Sequence, residues 1–258
     1  MRNLTKTFTI AALMIVSTTP YIRAADGTTS SADKVQMAKK FTFEKTQRYE
    51  LNYLLFVPKD YSASGGKKWP MILFLHGAGE RGTNVWKVAT HGPPKNVVEN
   101  PEFPFILVSP QCPEGKTWSN DALLGLLDEI MNTYAVDKSR VYLTGLSMGG
   151  YGTWSLGLAH PEKFAAIVPI CGGGTPADAK RLQHLPIWVF HGAKDTAVKP
   201  ERSEAMVKAL KEAGAEHVQY TLYPEAGHDS WTVTYNNPDF YEWLLKQKRR
   251  QPSATTAK

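Results

Sequence analysis

Short apolar runs alternate along the chain with longer stretches in which apolar side chains recur at helical spacing. Several of the runs are continuous in Val, Ile, Leu and Phe, which is typical of strands buried on both faces of a parallel sheet. Gly, Pro and Asp bound most of the runs, so the pattern predicts repeated strand–helix units. About eight strands are predicted, at residues 41–46, 49–57, 70–77, 105–111, 140–145, 164–172, 186–192 and 218–224.

Three stretches of the chain show the period of an amphipathic helix. Residues 121–134 place a set of apolar side chains on one helical face. A second helix is predicted over 203–213 with Gly214 as its stop, and a third begins at Pro238. Since no internal repeat or linker interrupts the body, we expect one α/β domain with a mostly parallel sheet flanked by helices.

The N-terminal residues 1–24 have the pattern of a secretory signal peptide, with basic residues before a short apolar run and small residues at the end. We therefore expect a secreted or periplasmic protein; the alternative is an uncleaved amphipathic tail. The apolar run is shorter than the roughly 20 residues that cross a bilayer, so no membrane span is predicted. The remaining segments are predicted as an N-terminal segment (25–40), the folded domain (41–246) and a basic flexible tail (247–258).

The formal net charge is +6, which would favour a polyanionic partner if it were spread over the folded domain. The excess lies at the two ends, because residues 25–245 hold 22 basic and 24 acidic side chains. No nucleic-acid partner is therefore predicted. The basic tail is expected to be solvated, with binding to an acidic surface as the alternative, and the sequence does not determine the oligomeric state.

The chain contains two cysteines, Cys112 and Cys171. In an exported protein they are equally compatible with one disulfide and with two buried thiols. Their number and spacing exclude a cysteine-based zinc site, and no histidine pair has the HExxH spacing. We therefore predict no metal and no cofactor.

The stretch VYLTGLSMGGYGTW (141–154) is the most informative part of the sequence. Its Gly-x-Ser-x-Gly motif follows a predicted strand and precedes a helical pattern, which predicts that Ser147 lies on the sharp turn of a nucleophile elbow. Such a turn crowds the positions two before and two after the serine, where Gly145 and Gly149 stand. The alternative, a glycine-rich turn without chemistry, explains the glycines but not the partner residues.

A nucleophilic serine needs a base and a carboxylate that orients the base. Asp195 follows the strand PIWVFHG and His228 follows VQYTLYP, so the order Ser147, Asp195, His228 is the one that the motif predicts. His228 is expected to take the serine proton, with Asp195 holding its tautomer. Asp178 is a weaker candidate because no strand end precedes it, and Asp229 is expected to point away from its neighbour.

The other polar residues at strand ends have less specific signals. His76 and His191 each precede a glycine at a strand end, where a structural histidine with satisfied hydrogen bonds is the better interpretation. His91 lies in the longest loop, where a surface turn is favoured over a place in the cleft. Glu80 and Arg81 are equally compatible with a solvated loop and with contact to a substrate.

The remaining site candidates follow from the needs of the serine chemistry. Two backbone N–H groups are expected to form an oxyanion hole, those of Met148 and Ala78. Three aromatic side chains are candidates for the walls of a substrate cleft, with a place in the core or on the rim as the alternative: Trp118, Tyr151 and Trp231.

Taken together, the segments LHGAGERG, SPQCP, GKTWSN, VYLTGLSMGGYGTW, PICGGG, FHGAKDTAV and PEAGHDSW resemble a secreted serine carboxylesterase of the α/β-hydrolase superfamily. The nearest group contains polyhydroxybutyrate-depolymerase-like, feruloyl-esterase-like and dienelactone-hydrolase-like enzymes, although dienelactone hydrolases proper have a cysteine nucleophile. The resemblance covers about residues 41–246 and implies an α/β-hydrolase catalytic domain. It carries over five residues: the triad Ser147, Asp195 and His228, and the oxyanion donors Ala78 and Met148.

The resemblance implies a carboxylic-ester hydrolase that works through an acyl-enzyme. Only about fifteen residues separate Cys171 from Pro186, too few for a large cap domain. An open cleft and export favour acyl or aryl esters of bulky or polysaccharide-linked substrates. Two alternatives are a small peptidase of the prolyl-oligopeptidase type and a non-catalytic binding protein with the same fold.

Overall fold

The structure is a computed structural model that describes residues 36–44 and 48–249. The predicted signal peptide, most of the predicted N-terminal segment and most of the basic tail lie outside the described residues. Those three assignments therefore stay predictions. None of the described helices is long and apolar enough to span a membrane.

Eight strands form one sheet in the order β1-β2-β4-β3-β5-β6-β7-β8. The strands are β1 (Met37–Glu44), β2 (Arg48–Phe56), β3 (Trp69–Leu75), β4 (Ile106–Pro110), β5 (Val136–Leu146), β6 (Ala166–Ile170), β7 (Ile187–Gly192) and β8 (Val218–Tyr223). The β1–β2 and β2–β4 pairs are antiparallel and the other neighbours are parallel. The predicted fold class is confirmed, although β1 and β5 each begin four residues earlier than the pattern indicated.

Six α-helices accompany the sheet among the described residues: α1 (Pro93–Glu99), α2 (Asn120–Thr133), α3 (Met148–Ala159), α4 (Glu201–Glu212), α5 (Trp231–Tyr235) and α6 (Pro238–Lys246). Capping side chains define two of the starts, since the Ser119 hydroxyl accepts the Ala122 N–H before α2 and the Asn237 carbonyl accepts the Asp239 N–H at α6. The sequence pattern missed α1 and α5 because seven and five residues are too few to show a helical period.

Apolar side chains cover both faces of the sheet. Along β3, alternate residues belong to different clusters: Leu73 packs with α2, α3 and α4, whereas Ile72 packs with α1, α5 and α6. This alternation follows from the period of two in a strand, and both side chains are fully buried. Helices therefore hold the central strands on both sides, which fixes the positions of the loops at their carboxyl ends.

The loops after the central strands are short. Between β6 and β7 the described chain forms only a 3₁₀ helix, Pro176–Leu182, so no large cap covers the sheet there, as predicted. Cys112 and Cys171 are both buried and unbridged, which is the second of the two alternatives that the sequence left open. The carboxyl ends of β3, β5, β6 and β7 thus meet at an open edge, the usual place for a site in such a sheet.

Candidate active site

Ser147 lies on a strained turn between β5 and α3. Its φ of 52° and ψ of −115° are outside the regions that non-glycine residues usually adopt. Such a conformation costs of order 1–3 kcal/mol and persists only where the surroundings impose it. Here the Ser147 N–H donates to the Ile170 carbonyl at 3.0 Å and also approaches the Cys171 Sγ at 3.3 Å, so the end of β6 holds the turn.

The glycines around Ser147 are required by close backbone contacts. A Cβ on Gly149 would lie 1.9 Å from the Leu75 carbonyl oxygen, and one on Gly145 would lie 2.5 Å from the Gly149 carbonyl oxygen. Neither contact leaves room for a methyl group, because the opposing atoms are backbone. The glycine pattern is therefore explained by the sharp turn that presents Ser147.

Three side chains from different strand ends form a continuous hydrogen-bonded line. His228 Nε2 lies 2.9 Å from Ser147 Oγ, and His228 Nδ1 lies 2.7 Å from Asp195 Oδ2. Because a carboxylate accepts, Nδ1 carries the proton and Nε2 is free to accept from the serine hydroxyl. The other carboxylate oxygen, Oδ1, accepts the N–H groups of Ala197 and Val198, both at 2.9 Å. The sequence predicted this grouping of three residues, and the structure brings them together.

The environment of Asp195 favours its ionised form. Its side chain is fully buried, and burial by itself raises the pKa of the carboxyl. The hydrogen bonds from His228 and from the Val198 N–H outweigh burial, so the pKa of Asp195 lies below its ordinary value. A buried carboxylate therefore faces the imidazole. Of these two side chains, only that of His228, which is 29% exposed, reaches solvent.

His191 is packed behind Asp195. Its Nε2 lies 2.7 Å from the Val198 carbonyl oxygen and 3.2 Å from Asp195 Oδ2, and its Nδ1 lies 2.7 Å from Ser203 Oγ. Both ring nitrogens thus have partners in a fully buried position. This arrangement agrees with the structural role predicted for this histidine and ties the Asp195 loop to α4.

The segment Gly77–Ala78 lies beside the serine. A Cβ on Gly77 would be 3.7 Å from Ser147 Cβ, so the loop after β3 borders the nucleophile turn. Ala78 begins a short 3₁₀ helix that ends at Glu80, and Met148 is the first residue of α3. Both predicted oxyanion donors are therefore backbone N–H groups at the start of a helical turn, where such groups lack partners within the helix.

His76 fixes the orientation of the peptide between Gly77 and Ala78. The Cys112 N–H donates to His76 Nε2 at 2.9 Å, so the proton of the neutral ring is on Nδ1, which donates to the Gly77 carbonyl at 2.6 Å. The C=O and N–H of a trans peptide point in opposite directions, so this bond turns the Ala78 N–H away from His76. Burial lowers the pKa of His76 to about 4, which keeps the ring neutral.

The three predicted aromatic candidates have different surroundings. Trp231 packs edge-on against the ring of His228, with centroids 5.2 Å apart. Trp118 packs against His76 at 4.8 Å and its Nε1 donates to the His76 carbonyl at 3.3 Å, so it supports the loop after β3. Tyr151 is 40% exposed and borders an open groove of about 450 Å³ on α3. Trp231 is thus the aromatic side chain in contact with the Ser147–His228–Asp195 line.

Two residues that the sequence did not place at the site lie beside it. His91 packs against Trp231, with centroids 5.6 Å apart, and its Nε2 lies 3.8 Å from Glu80 Oε1. The His91 side chain is 34% exposed, and its contact with Trp231 places it nearer the site than a surface turn alone would require. Glu80 is buried rather than solvated, whereas Arg81 is held by the Ala78 and Lys116 carbonyls.

The described residues contain one group of side chains with spacing suited to a metal ion: Cys171, Asp195 and His228. Two of its members are hydrogen-bonded to each other, and burial raises the pKa of the Cys171 thiol to about 12.

The sheet order and the flanking helices define an α/β-hydrolase fold. Residues 115–242 match the model of the Dienelactone hydrolase family. The matched segment contains Ser147, Asp195 and His228, and the resemblance to α/β-hydrolases of this group is confirmed.

Known relatives include esterases. A solved structure described as a thermostable esterase matches with a TM-score of 0.71 and 37% identity, over 82% of this chain and 63% of the other. A bifunctional acetylxylan esterase/xylanase, XynS20E of Neocallimastix patriciarum, is 27% identical over 150 residues, which are 55% of this chain and 22% of the relative. A ferulic acid esterase structure has a TM-score of 0.62 at 20% identity, over 81% of this chain and 96% of the other, and shows the fold alone. The chain thus spans less than two thirds of the first two relatives.

Proposed function

We propose that the chain is a secreted serine carboxylic-ester hydrolase that works through an acyl-enzyme. The observation that supports it most is the hydrogen-bonded line from Ser147 Oγ through His228 to Asp195, with distances of 2.9 and 2.7 Å. This is the arrangement that activates a serine hydroxyl. The esterases among the relatives support the same reaction class.

In the proposed mechanism, His228 Nε2 takes the hydroxyl proton as Ser147 Oγ attacks the ester carbonyl carbon. The backbone N–H groups of Ala78 and Met148 bind the negative oxygen of the tetrahedral intermediate. His228 then gives its proton to the departing alcohol oxygen, which leaves an acyl-Ser147 ester. Asp195 stabilises the imidazolium throughout, and a water molecule repeats the sequence to release the acid.

The substrate is proposed to be an acyl or aryl ester linked to a bulky alcohol such as a polysaccharide. The open edge of the sheet, with no large cap among the described residues, supports a substrate that extends beyond the site. The likeness to part of a bifunctional acetylxylan esterase/xylanase supports an acylated polysaccharide. Export of the protein belongs to the same proposal, and comparison of cell-associated and extracellular fractions tests it.

Hydrolysis of p-nitrophenyl acetate by the purified protein in excess EDTA tests the reaction. We expect activity, with an initial burst of nitrophenol close to one per enzyme, and a loss of about 10⁴–10⁶-fold in kcat for Ser147→Ala and His228→Ala. Ser155→Ala, on the exposed face of the same helix, is the matched control and keeps activity. Full activity of folded Ser147→Ala contradicts the mechanism, and faster turnover of a peptide anilide than of any ester favours the peptidase alternative.

A further inference from the structure

A chain of side-chain contacts leads from the candidate general base to the far side of the cleft. His228 packs on Trp231 with ring centroids 5.2 Å apart, and Trp231 packs on His91 at 5.6 Å. His91 Nε2 in turn lies 3.8 Å from Glu80 Oε1. Neither His91 nor Glu80 has a part in the proposed proton transfers.

The chain of contacts returns to Ser147 through the loop after β3. Glu80 Oε2 lies 3.3 Å from the position of a Cβ on Gly77, and that position is 3.7 Å from Ser147 Cβ. The circuit therefore runs from Ser147 through His228, the two aromatic rings and Glu80 back to the loop beside Ser147. Glu80, His91 and Trp231 thus lie next to both the candidate base and the Ser147 turn.

Two buried polar atoms in this circuit have no hydrogen-bond partner among the described residues: Glu80 Oε2 and Trp231 Nε1. The Glu80 side chain is only 10% exposed, and its two nearest imidazole nitrogens, His76 Nδ1 and His91 Nε2, both lie 3.8 Å away, beyond hydrogen-bond distance. Buried polar atoms in folded proteins nearly always have partners in the protein or in ordered water, so these two atoms are open to a hydrogen bond from water or from a bound substrate. The circuit presents one acceptor, one donor and an imidazole that can act as either.

Because Trp231 packs on His228, the chemistry of His228 indicates which half of the ester would contact Glu80, His91 and Trp231. The base that takes the serine proton must return it to the departing oxygen, so the alcohol half lies against the imidazole. Trp231 contacts that ring directly, and His91 and Glu80 continue the same surface. The acyl half extends from the carbonyl carbon in another direction.

We propose that Glu80, His91 and Trp231 form a subsite for the leaving alcohol, and that this alcohol is polyhydroxylated, such as a sugar unit. A sugar hydroxyl donates to Glu80 Oε2, another accepts from Trp231 Nε1, and the ring carbons pack on the indole and imidazole rings. A plain alkyl or aryl alcohol would leave both polar atoms unpaired. This inference rests on the proposed ester hydrolysis and names its substrate class.

The first test compares esters with one acyl group and different alcohols: a monoacetylated methyl pyranoside, ethyl acetate and p-nitrophenyl acetate. Glu80→Met removes the acceptor at nearly constant shape, and Trp231→Phe removes the donor while keeping a ring. We expect each variant to lower kcat/KM for the sugar acetate about tenfold or more beyond any loss that it causes on the other two esters. Glu212→Met, which replaces an exposed glutamate on α4, is the control and changes none of the three.

The second test uses the acyl-enzyme itself. The alcohol has already left at this stage, so an added alcohol competes with water for the acetyl group formed from p-nitrophenyl acetate. We expect transfer to a methyl pyranoside to saturate in the wild type and to become weak and non-saturating in Glu80→Met, with transfer to methanol the same in both. The melting temperature of Glu80→Met should not fall below that of the wild type, because the buried Oε2 has no hydrogen-bond partner among the residues that the structure describes.

The outcomes separate this inference from the proposed function. Absence of p-nitrophenyl acetate hydrolysis by the wild type overturns the ester hydrolase itself. If the wild type hydrolyses that ester, two results overturn the sugar subsite alone. One is an equal loss on all three esters in Glu80→Met, and the other is no loss on any of them. Saturating acetyl transfer to the pyranoside in both the wild type and Glu80→Met also overturns the sugar subsite.

Discussion

The two sides of Ser147 differ in how their polar atoms are satisfied. Towards Asp195, both carboxylate oxygens accept hydrogen bonds and both nitrogens of His228 have partners. Towards Glu80, a carboxylate oxygen and the indole N–H of Trp231 are buried and have no hydrogen-bond partner in the described part of the chain.

Under the proposed function, this difference separates groups that are organised before a substrate binds from groups that find hydrogen-bond partners only when it binds. A proton-transfer line that is already hydrogen-bonded needs no rearrangement when the reaction begins, which is the main requirement of electrostatic catalysis. Unpaired polar groups instead penalise any ligand that cannot pair with them, and this penalty discriminates between substrates. We therefore expect changes near Asp195 to act on every ester and changes near Glu80 to act on particular ones.

The largest effect is expected from Asp195→Asn. An asparagine has only one accepting oxygen. If that oxygen accepts the N–H groups of Ala197 and Val198, the NH2 group faces Nδ1 of His228 and donates to it. The imidazole then carries its proton on Nε2 and cannot accept from Ser147. We expect kcat on p-nitrophenyl acetate to fall by about 10⁴, as for the equivalent change in other serine triads. Asp178→Asn is the control, because Asp178 is exposed in the 3₁₀ helix Pro176–Leu182. Loss in Asp178→Asn with retention in Asp195→Asn would assign the acid to the other residue.

A smaller effect on kcat is expected from substitutions of His76, which holds the loop after β3. In His76→Gln the amide reaches the Nε2 position and can still accept from the Cys112 N–H, but it no longer donates to Gly77. In His76→Asn the amide nitrogen lies near the Nδ1 position and keeps that bond. If the Gly77 bond orients the Ala78 N–H, the Gln variant loses about 10²-fold in kcat, with little change in KM, and the Asn variant loses less than tenfold. Equal losses in both folded variants would contradict the orienting role.

The sheet and the Ser147–His228–Asp195 line could be predicted from the sequence because each depends on local signals. Buried strands are marked by continuous apolar runs, and Ser147 by the glycines that its turn requires. Asp195 and His228 each follow a strand end, and the parallel sheet brings such ends to one edge.

The circuit through Glu80, His91 and Trp231 depends on tertiary packing that no local pattern records. His91 precedes α1 and Trp231 begins α5, two helices too short to show a period. Their contact forms only because both helices pack on the same face of the sheet. A sequence signal was present at Glu80, directly after the predicted oxyanion loop, but a glutamate in a Gly-rich loop is equally typical of a solvated turn.

Acid is expected to destabilise the fold through His76. Burial lowers its folded-state pKa to about 4, whereas the unfolded imidazole has a pKa of about 6.5. The stabilising contribution is therefore complete above pH 6.5 and is lost as the pH falls towards 4, by about 1.4 kcal/mol per pH unit. Urea unfolding at pH 7, 6 and 5 should show this slope reduced in His76→Asn and unchanged in His160→Asn, a partly exposed control. An identical slope in all three proteins would mean that a group other than His76 causes the loss of stability in acid.

The smallest effect is expected from thiol reagents, although Cys171 lies directly beneath the Ser147 turn. Its Sγ is 3.3 Å from the Ser147 nitrogen, and burial raises the pKa of Cys171 to about 12 and that of Cys112 to about 11. The reactive thiolate is therefore scarce at pH 8 and out of reach of solvent. We expect a disulfide reagent to leave the activity of the native protein unchanged and to label two thiols only after unfolding. Rapid inactivation that added substrate prevents would instead mean that the Ser147 turn opens in the native protein. The Asp195 side of the site would then not be fully organised before a substrate binds.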